Sequence, residues 1–193
     1  MFEKVIDEIN DSLDNDKVII SLAPGFTIAQ LKEKIKAGRI VRSMPNTPAM
    51  IGEGMTGVCF DENEFDENEI DVINKIFEAT GKAKKVDEKL MNSVVCASGS
   101  SPAYVFMFIE ALADSAVKCG LPRKDAYEFV AQTVLGSAKL MLETGKHPGE
   151  LKDMVCSPGG TTIAGVAELE KNGFRKAIFE ATDACFNKCN NIK

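Results

Sequence analysis

An α/β layer followed by an all-helical region is the fold class that this sequence predicts, on three observations. Short apolar strand-like runs alternate with amphipathic helical runs through the first 87 residues. From residue 88 onward, helical periodicity continues to residue 193 with no return of strand-like alternation. The later breaks are all Gly/Pro punctuation: Gly99-Ser100-Ser101-Pro102, Gly120-Leu121-Pro122, His147-Pro148-Gly149 and Ser157-Pro158-Gly159-Gly160. Strand, helix and strand in succession mark an α/β layer, so a domain boundary is drawn between 1–87 and 88–193.

The elements follow in order. Residues 2–13 carry Phe2, Val5, Ile6, Ile9 and Leu13 at helical spacing, and Asp14-Asn15-Asp16 breaks the pattern. Residues 17–23 (Lys17-Val18-Ile19-Ile20-Ser21-Leu22-Ala23) read as a buried strand of a parallel sheet. Pro24-Gly25 turns the chain. Thr27 is placed to cap a helix over 28–37, with Ile28, Leu31 and Ile35 on one face. Residues 39–44 form a second strand that stops at Pro45. Residues 55–60 and 82–87 are further strands, with a helix over 67–80 between them (Ile70, Ile73, Ile76, Phe77).

The helix over 103–118 is apolar around most of its circumference: Val105, Phe106, Phe108, Ile109, Leu112, Ala113 and Ala116 leave little polar surface. A helix apolar on all sides must be covered on all sides. In so small a region that implies burial against a second copy, in an intertwined helical dimer. Further helices are expected over 124–142 and 163–171.

Bulk properties exclude several classes. The chain has 193 residues, 45% hydrophobic and 27% charged, the profile of an ordinary globular protein. A net charge of −6 argues against nucleic acid as the main partner, which calls for a basic face. No run is expected to reach the apolar length needed to span a bilayer. Met1-Phe2-Glu3-Lys4-Val5 lacks a signal-peptide layout, so the cytoplasm is the default compartment. Six scattered cysteines (Cys59, Cys96, Cys119, Cys156, Cys185, Cys189) read as reduced core thiols, not a disulfide framework. Zinc is not expected, because only Cys185 and Cys189 are close in sequence.

The dinucleotide fingerprint requires Gly-x-Gly-x-x-Gly between a strand and a helix. Gly52-Glu53-Gly54-Met55-Thr56-Gly57 has the letters, but it lies in a loop ahead of a strand. Asp61-Glu62-Asn63-Glu64-Phe65-Asp66 mimics a calcium loop, yet Phe65 stands where an oxygen ligand is needed. That run is read as a solvated helix start. His147, the only histidine, is read as a turn residue ahead of Pro-Gly.

Three collinear segments together carry a family resemblance: Ser43-Met44-Pro45-Asn46-Thr47-Pro48 running to Gly52-Glu53-Gly54, Ser98-Gly99-Ser100-Ser101-Pro102-Ala103-Tyr104 running to Gly120-Leu121-Pro122, and His147-Pro148-Gly149-Glu150-Leu151-Lys152-Asp153 followed by Ser157-Pro158-Gly159-Gly160-Thr161-Thr162. The chain resembles the pyrroline-5-carboxylate reductases, and the third segment is the most specific. The resemblance implies the C-terminal part of a Rossmann-like, NAD(P)-binding domain (1–87), followed by a helical dimerisation and substrate-binding domain (88–193). It implies reduction of 1-pyrroline-5-carboxylate to L-proline with NADPH or NADH. The assembly it implies is a homodimer or a larger one. Family members begin with the strand and fingerprint turn not found here, so the chain is expected to start just after that point.

Imine reduction needs a hydride donor, a proton for nitrogen and an anchor for the substrate carboxylate. Ser157, Gly159, Gly160, Thr161 and Thr162 form the expected substrate loop. The two glycines allow close backbone approach, and a following helix turns its positive end toward an anion. The resemblance implicates Thr161 and Thr162 in substrate binding, with Thr162 offering its hydroxyl to the ring nitrogen as the catalytic residue. Read without the family, the same letters also suit a Ser-Pro helix start with a glycine turn. Glu88 matches a position implicated in substrate binding, though an acid there also suits a solvated helix start. Met154 stands where some members have Asn. Leu22, Ala23 and Pro24 end a strand at the ligand-binding edge of such sheets, and by resemblance their backbone lines the nicotinamide pocket. Asn46 ends the neighbouring strand beside them, and for it a proline-set turn is an equal alternative. Two other functions compete with the reductase. One is an inactive remnant serving only as a dimerisation module. The other, a 3-hydroxyacid type of dehydrogenase, lacks its Lys-x-x-x-Asn pair here.

Overall fold

The computed structural model describes residues 2–191. It divides into two compact units: residues up to Pro102 together with those from Thr182 onward, and Ala103–Ala181.

In the first unit, α1 (Phe2–Ile9) and a 3-10 turn (Asn10–Ser12) precede β1 (Val18–Ser21). Next come α2 (Ile28–Lys34), β2 (Arg39–Met44), a 3-10 turn (Thr47–Ile51) and β3 (Gly54–Cys59). A 3-10 turn (Glu62–Glu64), α3 (Glu67–Glu78) and β4 (Gly81–Lys85) complete the sheet. The strands lie in the order β1-β2-β3-β4. β1 runs parallel to β2, and β3 parallel to β4, each pair joined by a crossover helix. β2 and β3 are antiparallel, so the sheet is mixed rather than parallel throughout. The reason is length: a short 3-10 turn links β2 to β3, and a parallel crossover needs a dozen residues or more.

β2 supplies the centre of both layers, because successive side chains on a strand point to opposite faces. Ile40 packs with Ile6, Leu31, Ile35 and Ala37 on one face. Val41 packs with Val58, Phe60, Phe65, Ile73 and Phe77 on the other. α2 begins at the Thr27 cap, in a capping box with Gln30. It ends at Lys34 rather than at residue 37, because Asn10 takes over its end: Asn10 Nδ2 donates to Lys34 O (2.9 Å), and Lys36 N donates to Asn10 Oδ1 (3.0 Å). Asp66 opens α3 with a second capping box, in keeping with the helix-starting reading of the acidic run.

After β4 come a 3-10 turn (Glu88–Leu90), α4 (Met91–Val94), a π-helical turn (Val95–Gly99) and α5 (Ser101–Lys118). Together Glu88–Lys118 make a helical run of 31 residues, long and apolar enough by composition to cross a membrane. This corrects the sequence expectation that no run reaches that length. Ser100-Ser101-Pro102 reads as a break, but proline is tolerated in the first turn of a helix, and the run carries on through it. An apolar helix awaiting a protein neighbour meets the same criterion.

The second unit holds most of α5, then α6 (Arg123–Thr144), α7 (Pro148–Val155), α8 (Thr161–Lys171) and the start of α9 (Phe174–Asn190). Its buried cluster is small: Ala113, Ala126 and Val130. Phe106, Met107, Phe129 and Phe179 are each more than 60% exposed in the single chain.

Candidate cofactor edge and substrate loop

The predicted site residues fall into two groups, one in each unit. In the first unit, parallel β1 and β2 end on the same edge of the sheet. Ser21, the last residue of β1, pairs with Arg42. Its neighbours fix the turn that follows: Ala23 N donates to Ser21 Oγ (3.3 Å), and Ser43 Oγ donates to Ser21 O (3.4 Å). Leu22 then points outward, exposed, while Gly25 takes a left-handed φ of 84° that turns the chain toward Thr27.

Asn46 follows β2, and both ends of its amide are taken by backbone. Its Nδ2 donates to Ser98 O (3.1 Å), and its Oδ1 accepts from Met55 N (2.9 Å). Asn46 thus ties the start of β3 and the π-helical turn to the edge where Leu22, Ala23 and Pro24 lie. π-helical turns are frequent at functional sites.

Glu88 lies at this edge too. Its Oε1 accepts from the first amide of α2, Ile28 N (2.6 Å), and from Arg42 Nη1 (3.2 Å). The pair lines a cavity of about 410 Å³ shared with Gly25, Thr27, Asn92 and Asn190. Burial pushes the nearby Cys59 thiol up to about 11, and the negative charge of Glu88 adds to the rise.

In the second unit, His147 caps α7 by accepting from Gly149 N at Nδ1 (3.1 Å), the turn role expected for it. After α7 the chain passes through Ser157-Pro158 to Gly159, at φ 67°. Gly160 N donates to Ser157 O (3.0 Å), and Gly160 is the N-cap of α8. A Cβ on Gly160 would stand 2.4 Å from Ser157 Oγ and 3.1 Å from Ser157 O, so a side chain there would push the Ser157 hydroxyl aside and crowd its carbonyl. No side chain caps α8. Its first-turn amides belong to Thr161, Thr162 and Ile163, and such groups have no intrahelical acceptor. Ser157, Thr161 and Thr162 are exposed around them. The loop presents N–H donors, hydroxyls and the positive end of an 11-residue helix to one point.

Known proteins agree with this architecture. A family model described as pyrroline-5-carboxylate reductase dimerisation matches residues 88–192. The pyrroline-5-carboxylate reductase of Escherichia coli is 53% identical over 186 residues, 96% of this chain and 69% of that protein. The chain belongs to the pyrroline-5-carboxylate reductase family. The Arabidopsis thaliana reductase is 45% identical over 94% of this chain and 66% of its own length. Among solved structures, the Plasmodium falciparum pyrroline carboxylate reductase with NADP bound superposes with a TM-score of 0.88 at 35% identity, covering 98% of this chain and 76% of that one. The Coxiella burnetii pyrroline-5-carboxylate reductase gives 0.86 at 34% identity, over 97% and 70%.

Within this reductase-family chain, sequence reasoning missed two features. Arg42 is buried (side chain 6% exposed), and its Nε has no acceptor among the described residues. A strand covered on both faces buries its arginine along with its neighbours, and residues 39–44 alone do not show that covering. The second is a thiol cluster: Cys96 lies beside Cys185 and Cys189, and Cys185 Sγ donates to Ser100 Oγ (3.3 Å). Burial first, then these neighbours, push Cys96 up to about 12. No set of three ligands suited to a metal exists among the described residues. Gly52, Gly54 and Gly57 span a turn and β3, not a strand-to-helix junction.

Proposed function

We propose that this chain carries out the reaction named for its family, reducing 1-pyrroline-5-carboxylate to L-proline. The single observation behind the proposal is the identity of 53% to the Escherichia coli reductase over 96% of the chain. The local geometry supports it. The α8 N-terminus, uncapped by any side chain, offers backbone donors to a carboxylate. Thr162, in its first turn, offers an O–H to the ring nitrogen, orienting it and donating a hydrogen bond as charge develops there. Ser157 and Thr161 flank the same point, and Gly159 and Gly160 let the backbone close on it.

The cofactor reading is NADPH or NADH, which when bound supplies the hydride. An exposed apolar Leu22 at the carboxyl end of the half-buried edge strand β1 suits the flat face of a nicotinamide ring. Ala23 and Pro24 would line that end, with Asn46 holding the edge in shape. The same reading gives Glu88 a place near the substrate. Domains divided at 87/88 and a homodimer through the helical unit complete it, the dimer supported by the family model and by the bare Phe106 and Phe129.

Calorimetric titration with NADPH, and with proline in its presence and absence, tests the reading. Micromolar binding of both is expected. Silence for both would leave only the dimerisation-module function. Thr162→Val should lower kcat ~10–100-fold with a smaller change in proline affinity.

A further inference from the structure

We propose that Arg42 and Glu88 form a latch that positions the Leu22–Gly25 turn, with Arg42 as a positioning residue. Its consequence for catalysis rests on the reading that this edge holds the dinucleotide.

The turn between β1 and α2 spans six residues, with Phe26 packed against the core cluster on one face of the sheet. Strand pairing stops at Ser21↔Arg42. Beyond it, Ala23 N reaches Ser21 Oγ, and Gly25 sits at a left-handed φ. The far end of the turn is fastened by Glu88, sixty residues away, through Ile28 N at 2.6 Å. The Thr27–Gln30 capping box takes up the amides of Gln30 and Thr27 and leaves Ile28 N, which has no acceptor within its own helix, to Glu88. A second fastening on the same helix start fixes where that start lies.

Glu88 is aimed by Arg42. The same oxygen that takes the Ile28 amide accepts from Arg42 Nη1 (3.2 Å). Arg42 is nearly wholly buried, and its Nε has no acceptor among the described residues. Burying a guanidinium is costly, and one buried with an incomplete set of partners is kept for more than its own stability. Because Arg42 pairs in register with Ser21, one residue fixes both limits of the turn: Ser21 through the sheet and Ile28 through Glu88. Arg39, three residues earlier on the same strand, pairs with Glu69. That ion pair is more exposed and does not touch the turn, which makes it the natural control.

The test compares Arg42→Met, Arg42→Lys and Glu88→Gln with Arg39→Met. It reads amide hydrogen exchange at Ile28, the KM for NADPH against kcat, and melting temperature. Loss of a charge-assisted hydrogen bond should speed exchange at Ile28 ~10-fold or more in Arg42→Met. KM for NADPH should rise ~10-fold while kcat changes by less than ~3-fold. Arg42→Lys and Glu88→Gln keep a cation or an acceptor and should recover part of both. Arg39→Met should change neither reading, whatever it does to melting. The proposal is overturned if exchange at Ile28 is unchanged in Arg42→Met, or if Arg39→Met moves KM as much. Should Arg42→Met fail to fold, Arg42→Lys and Glu88→Gln decide by the same readings. If the parent chain binds no NADPH, the cofactor reading falls, and exchange at Ile28 alone decides the latch.

Discussion

The sheet unit and the helical unit solve the burial problem differently. The first closes on itself: Leu31, Ile40, Val41 and Met91 are almost completely covered, and two clusters fill the two faces of one sheet. The second has longer helices but a buried cluster of only Ala113, Ala126 and Val130. Its large apolar residues face outward. Each such side chain contributes roughly 1.5–3 kcal/mol once covered, so the helical unit leaves most of its stabilisation to a neighbour. Size of element is therefore a poor guide to self-sufficiency. What matters is whether the apolar faces meet within one chain.

The largest expected effect breaks the comparison from the helical side. Phe106→Glu should cost ~3 kcal/mol of association, about two orders of magnitude in dimer affinity. Sedimentation at micromolar concentration would then give a monomer. A dimer of unchanged affinity would mean that the bare face of α5 is not where copies meet. Next is Ile40→Ala in the sheet unit, with an expected loss of roughly 2–5 kcal/mol. Its urea midpoint should not move with protein concentration, whereas helical-unit melting should rise with concentration, as linkage to association requires.

Gly160→Ala sharpens the contrast between stability and chemistry. The new Cβ meets Ser157 Oγ, so KM for the imine should rise ~10-fold, while melting stays within about 1 °C because the loop is exposed. The smallest effect is alkaline. Cys59 titrates near 9.0 when unfolded and at about 11 when folded. The folded state keeps a proton that the unfolded state loses, so stability falls as pH rises from 9 toward 11. Cys59→Ala should flatten that fall, as read from melting temperature against pH.

Much of this was legible in the residues. Arg39–Met44 forms the strand expected of it, and Thr27 caps its helix as its side chain and Gln30 dictate. What failed was whatever depended on distant partners. The end of α2 is set by Asn10, and the antiparallel step by the length of a connection whose partner strands cannot be known in advance. The glycine turn and helix start at Ser157–Thr162 were visible because they are local chemistry. Arg42 was not, because a strand arginine declares itself only when the elements covering both faces are known. Cys96 met Cys185 for the same reason, across 89 residues of sequence.

One helix ties the two units to a common schedule. α9 gives its start to the helical unit and its residues from Thr182 onward to the sheet unit. There Asn92 Nδ2 donates to Asn190 Oδ1 (2.9 Å), and Cys185 meets Ser100. A ribosome that has finished the four strands has not yet made this piece. At about 5–20 residues per second, the 96 residues between Lys85 and Thr182 take roughly 5–19 s to synthesise. The sheet unit is therefore completed only after the helical unit has been made, and through that interval Asn92 and Ser100 lack these partners.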